Sequence, residues 1–263
     1  MPIIYGCVVP HSPILLPTIG KEHSQSLVTT TQSFQKIRES LVSLQADTLV
    51  LIAAQDTHPT QKKYCLHMAP TYTSSFAEFG DLVTQQEYPS DPVLTSMIKQ
   101  QLTEAGFPVV YSAEEHLDYS AGVPLYHVAK GLGMKIIALN PADVSMKKVA
   151  EFGNELNRIL QSSDKRIVCI ASGDLSHCLT RNENDEYGKM CEQFDADIVT
   201  YLKQQRNKKI LQVKNETIRT VGACGMPAIA LLLGILENVS CTQEVLSYEA
   251  PFGVGYLVAE FSF

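Results

Sequence analysis

The sequence has no apolar run of membrane length, no block of basic residues and no closely spaced cysteine pair. Its longest apolar stretch after the N-terminus, residues 226–236, falls far short of the ~20 residues a membrane helix needs and reads as a buried helix. The opening segment MPIIYGCVVPHSP lacks a basic n-region and meets a proline after a short apolar run, so it reads as a first strand and not as an export signal. Twenty-one Lys+Arg against 28 Asp+Glu leave a net charge of −7, which argues against a phosphate-backbone partner; no nucleic acid and no membrane are expected. Seven cysteines, an odd number without a C-x-x-C pair, predict reduced thiols and a cytoplasmic location. Sequons at Asn215 and Asn238 lack the secretory context that would give them meaning. Repeats, low-complexity tracts and linkers are also missing, so residues 1–263 are expected to form one domain.

What is present is ordinary globular composition, 45% hydrophobic and 19% charged, and an alternation of strand-like and helix-like segments. Residues 3–9, 48–54, 135–139 and 166–171 are apolar runs of strand length, too apolar for a solvated face, as in central parallel strands. Helical periodicity marks 24–44, 144–160 and 185–202, and Ser90-Asp91-Pro92 opens a helix that Gly106 ends. Pro124 is expected to begin a short helix, residues 57–87 read as irregular strands and loops, and two strands, 244–248 and 255–261, close the chain. The fold class is therefore α/β, with a central, mostly parallel or mixed sheet flanked by helices.

In such sheets ligands bind beyond the carboxyl ends of the strands. The residues following the predicted strands are Pro10-His11, then Gln55-Asp56-Thr57-His58, then Ser172-Gly173-Asp174-Leu175-Ser176-His177, and finally Glu249. An imidazole, an amide or imidazole from a second loop, and a distant carboxylate suit a facial site for Fe(II) or another divalent ion, because their lone pairs hold three positions and leave the others open. The alternative for each is structural: a loop histidine packed on prolines for His11, a backbone-bonded histidine for His177, an ion-paired or capping carboxylate for Glu249. Cys224 lies between two glycines at a helix start, where a thiolate is favoured, but a small side chain in a tight turn explains it as well.

The runs Pro10-His11-Ser12-Pro13-Ile14-Leu15-Leu16-Pro17, Ala171-Ser172-Gly173-Asp174-Leu175-Ser176-His177 and Leu246-Ser247-Tyr248-Glu249-Ala250-Pro251-Phe252-Gly253-Val254-Gly255-Tyr256 together resemble the class III extradiol ring-cleaving dioxygenases, the protocatechuate 4,5-dioxygenase β-subunit type, and within them the Memo-related forms. The resemblance implies an oxidoreductase that uses non-haem Fe(II) and dioxygen to open an aromatic diol. It implies His11 and Glu249 as metal ligands, His177 as the acid/base, and Asp174 as the residue ordering the His177 loop through backbone amides. It also implies association, with copies of the chain or with a partner subunit.

Two positions depart from the family's pattern. Gln55 stands where a second metal histidine is expected, offering only a harder carbonyl oxygen, with His58 three residues on as the other candidate ligand. Tyr119 replaces a pocket histidine, and a phenol is a poor base at neutral pH. Gly222-Ala223-Cys224-Gly225 further lacks a carboxylate that relatives carry. The expected alternative to an active enzyme is thus a non-catalytic homologue, a binding or assembly subunit without metal. Zinc-dependent or metal-free chemistry using His177 and Cys224 is a third reading.

Overall fold

In this computed structural model the described residues are 2–53, 62–179 and 185–263. The strands are β1 (Ile3–Val9), β2 (Thr48–Ala53), β3 (Tyr64–His67), β4 (Thr71–Phe76), β5 (Asp81–Pro89), β6 (Val109–Ser112), β7 (Lys135–Asn140), β8 (Ile167–Ser172), β9 (Thr242–Glu249) and β10 (Tyr256–Ser262). The helices are α1 (Pro17–Gly20), α2 (Val28–Leu44), α3 (Pro92–Glu104), α4 (Tyr119–Val128), α5 (Met146–Leu160), α6 (Glu186–Lys203), α7 (Asn207–Ile210), α8 (Asn215–Val221) and α9 (Met226–Ile235).

Eight strands form one sheet in the order β6-β3-β7-β2-β8-β1-β10-β9. Its middle, β7-β2-β8-β1, is parallel, which is why those segments are apolar throughout: helices cover both faces. The flanks are antiparallel, β3 against β7 on one side and β10 and β9 on the other, so the sheet is mixed. Alternate side chains divide between two cores. Val8, Val50, Ile52, Cys169 and Ala171 pack under α5, α6 and α9, while Cys7, Val9, Leu49, Leu51 and Ile170 pack under α2 and α4. Both cores share one sheet, so the chain is a single α/β domain.

Three expectations are corrected. Within residues 57–87, expected to hold irregular strands and loops, β4 and most of β5 pair as an antiparallel hairpin with one register shift at Ser75/Phe76, on the α4 side, where Tyr72, Phe76 and Tyr88 are buried. Helix α2 begins at Val28, because residues 21–27 coil as a 3-10 helix before it. Pro124 sits inside α4, which instead starts at Tyr119 behind an Asp118 cap whose carboxylate accepts the Ser120 amide at 3.0 Å. A proline there orphans the carbonyl four residues back, that of Ser120. The Ser172 hydroxyl donates to that carbonyl, and the proline is tolerated.

Candidate active site

The carboxyl ends of β1 and β8 are neighbours, and the backbone continues their pairing into the loops: Gly173 N–H donates to the Val9 carbonyl at 3.0 Å. Gly173 has φ near +159° and lies so close to Gly225 that a Cβ would sit 2.1 Å from the Gly225 Cα. The paired glycines bring the start of α9, and with it Cys224, against Asp174.

His11 is 3% exposed and projects on the α2–α4 face of the sheet, as Val9 does. Its Nδ1 is 3.4 Å from the Ser172 hydroxyl. Because that hydroxyl spends its single proton on the Ser120 carbonyl, it faces His11 as an acceptor, which places the imidazole proton on Nδ1. The Nε2 lone pair is left pointing at Cys224 Sγ, 3.4 Å away, and Asp174 Oδ2, 3.8 Å away. The face of the ring is closed by Tyr119, edge-on at 5.5 Å, which is held in turn by Phe79 at 5.3 Å.

His177 repeats this arrangement from the other side. Its Nδ1 donates to the Gly222 carbonyl, so the neutral ring carries its lone pair on Nε2, 3.8 Å from the same Asp174 oxygen. Unlike His11, it is exposed to solvent, with a side chain 38% accessible. Asp174 therefore stands between two imidazoles that both turn Nε2 toward it. Its other oxygen accepts the backbone N–H of His11 at 3.0 Å, so Asp174 ties its loop to that of His11 instead of ordering its own turn.

Glu249 ends β9, on the same rim and the same face, with β10 between it and β1. Its carboxylate does not reach toward His11. It accepts the amides of Thr29 and Thr30 at 3.3 and 2.7 Å and the Thr30 hydroxyl at 2.6 Å, serving as a remote cap for α2, whose own cap position is Leu27. Burial pushes its carboxyl up, but the bonds from Thr30 and Thr29 outweigh this and hold it below the usual carboxylate range. Gln55 and His58 lie outside the described residues. Among the described residues, no three His, Cys, Asp or Glu side chains are grouped to hold a metal ion.

Sequence reasoning overlooked Ser172 and underrated Cys224. The first had a signal, a hydroxyl at the end of an apolar strand beside Asp174; the second could only be placed by the Gly173–Gly225 contact. The expectation that the cysteines are all reduced is corrected as well: Cys178, next to His177, is bonded to Cys191 of α6, with Cα atoms 5.9 Å apart. A separation of 13 residues carries no motif, and only the packing of the loop on α6 reveals the pair. Beyond β2, on the same face, lies a recess of about 400 Å³ with Ala53, His67, Ser112, His116, Asp118 and Asn140 in its walls. It flanks the histidine pair and does not contain it. No helix among the described residues is long and apolar enough to cross a membrane.

The chain is similar to known proteins in sequence and in fold. The family described as the catalytic LigB subunit of aromatic ring-opening dioxygenase matches residues 5–259. Protein CA_C1420 of Clostridium acetobutylicum is 29% identical over 259 residues, which are 95% of this chain but 55% of that protein, so the chain spans about half the length of this relative. The crystal structure of protein JW3007 from Escherichia coli K12 superposes with a TM-score of 0.65 at 14% identity, covering 98% of this chain and 99% of that one; at this identity the likeness shows the fold.

Proposed function

Since the chain belongs to the family of the catalytic LigB subunit of aromatic ring-opening dioxygenases, we propose that it is a metal-dependent oxidoreductase that opens an aromatic diol with dioxygen. The observation that carries the proposal is the pair of imidazoles that flank Asp174, each held through Nδ1 and each turning Nε2 toward Asp174 Oδ2. A neutral Nε2 held by a hydroxyl acceptor behind it is what a metal-binding histidine requires, so His11 fits a divalent metal, for which Fe(II) is the candidate. Glu249 would supply the carboxylate and Gln55 or His58 the third donor. Such an ion would supply a Lewis-acidic centre that brings a diol and dioxygen together.

The remaining work falls to side chains of this chain. His177 Nε2, at the solvent edge, accepts a proton from the incoming diol hydroxyl, and Asp174 at 3.8 Å stabilises the imidazolium that results. The same nitrogen returns the proton when the ring opens. Tyr119 and Phe79 form an aromatic wall over His11 that suits a flat apolar ring and limits water. The neighbouring recess has the volume of a small-molecule site and would accommodate substituents on that ring.

Oxygen uptake by iron-loaded protein, offered a panel of catechol-type diols, tests the reading. Consumption is expected with at least one diol, falling about 10²- to 10⁴-fold in His177→Gln, the usual range for loss of a general base. No uptake with any diol would refute it.

One observation favours a second reading, that the fold serves as a non-catalytic binding or assembly subunit: Tyr119 occupies the wall against His11 where the family pattern places a histidine. Under that reading the unmodified chain consumes no oxygen and Tyr119→His gains activity.

A further inference from the structure

The turn that carries His177 is pinned along one edge by backbone bonds: Leu175 N–H to the Gly255 carbonyl, His177 N–H to Val221 and Leu179 N–H to Gly253, at 2.8 to 3.1 Å. The amide of Ser176 points the other way, into the protein, where Ser176 is fully buried. There it donates to Asp195 Oδ1 on α6 at 3.0 Å, while the Tyr248 hydroxyl donates to Oδ2 at 2.7 Å. Asp195 is itself 0% exposed, and Gly255 passes so near that a Cβ there would lie 2.0 Å from Oδ2, so the glycine is what lets β10 close over the carboxylate. One helical turn earlier on α6, Cys191 is bonded to Cys178. The residues immediately before and after His177 are thus each fastened to the same face of one helix, four residues apart.

We infer that α6 is a two-point clamp for His177, in which Asp195 is the permanent anchor and the Cys178–Cys191 bridge the reducible one. Asp195 is accordingly a positioning residue: through the Ser176 amide it fixes the backbone from which the imidazole reaches Asp174. The bridge adds redox sensitivity, since Cys178 is only half-buried. A dithiol reductant opens it by thiolate attack on one sulfur; the reductant's two thiols close into a disulfide, and Cys178 and Cys191 take up two electrons and two protons. With the bridge open, the residue after His177 loses its covalent tie to α6, and the imidazole is less firmly set against Asp174. The functional weight of this inference rests on the reading of His177 as the acid/base.

The test uses the full chain and needs neither metal, dioxygen nor diol, so its outcome is separate from that of the ring-opening assay. Alkylation of protein purified without reductant, read by peptide mass spectrometry, should find Cys178 and Cys191 blocked until dithiothreitol is added. Reduction, or Cys191→Ala, should raise amide exchange at Ser176 and carbethoxylation of His177 several-fold. Asp195→Ala should raise both by about tenfold, the equivalent of one charge-assisted hydrogen bond, while Asp195→Asn, which keeps an acceptor for the Ser176 amide, stays within about twofold of the parent. Exchange within β2 should not move in any of them. If Asp195→Ala does not fold, Tyr248→Phe, which removes one bond to the carboxylate, should give a smaller rise in the same two signals. Both thiols free before reduction, or unchanged exchange and reactivity in the reduced protein and the Asp195 variants, would overturn the inference.

Discussion

At the scale of single residues, Ser172 does more than its place at the end of a strand suggests. Its one proton satisfies the carbonyl that Pro124 orphans in α4, and its lone pair sets the tautomer of His11. The hydroxyl therefore joins a structural repair to the preparation of the site. Ser172→Ala leaves the Ser120 carbonyl buried without a partner and should cost about 1–3 kcal/mol in urea unfolding, within the usual range for a stranded acceptor. Ser172→Thr, which keeps the hydroxyl, should recover most of it. Equal stability of Ser172→Ala and the parent would contradict the role. That His11, Asp174, His177 and Glu249 lie at one rim of the sheet was legible in the sequence, because each follows or ends a strand. The direction in which Glu249 points was not: nothing in Tyr248-Glu249-Ala250 reveals that its carboxylate caps a helix more than 200 positions earlier.

At the scale of elements, α2 and α4 are joined by His127, which stacks on Phe34 at 4.5 Å. Burial pushes the His127 imidazole down to about 4, against a smaller upward pull from its bond with the Leu15 backbone. Since the folded value lies below the unfolded one, the folded protein favours the neutral ring. Stability is intact above about pH 6.5 and is lost as the pH falls toward 4. Melting temperature measured across that window should drop more steeply for the parent than for His127→Phe, which preserves the stack without the titration; parallel curves would show that His127 is not responsible. The N-terminus of α2 offers a second test. If Glu249 turns to a metal, Thr29 and Thr30 lose their acceptor, and exchange of their amides should quicken on Fe(II) loading while the rest of α2 slows or stays constant. Slower exchange at Thr30 would mean that Glu249 remains a cap. The central strands and α5, α6 and α9 could be read from periodicity because burial on both faces or on one leaves a plain pattern. The β4–β5 hairpin and the start of α4 could not, since Pro124 is accommodated by a side chain from β8 that no local rule anticipates.

At the scale of the whole molecule, the sheet brings together residues from both ends of the chain. His11 follows β1, the third strand from one edge, and Glu249 ends β9, the edge strand itself, with β10 between them. The mixed sheet followed from the sequence in outline, but its antiparallel flanks did not, because neither the four residues of β3 nor the half-exposed β9 carries a pattern that distinguishes one direction from the other. A metal held by both ligands would fasten β1 to β9 across β10, and ligation of the folded state alone would stabilise the whole domain, by about 2.7 kcal/mol at a hundredfold excess over the dissociation constant. The decisive measurement is an anaerobic Fe(II) titration of the parent, His11→Ala and Glu249→Ala, followed by calorimetry. The account predicts one ion bound per chain, affinity at least tenfold weaker in each variant, and a rise in melting temperature on loading that both variants lose. Binding of equal strength in the parent and in His11→Ala, or no binding to either, would contradict it.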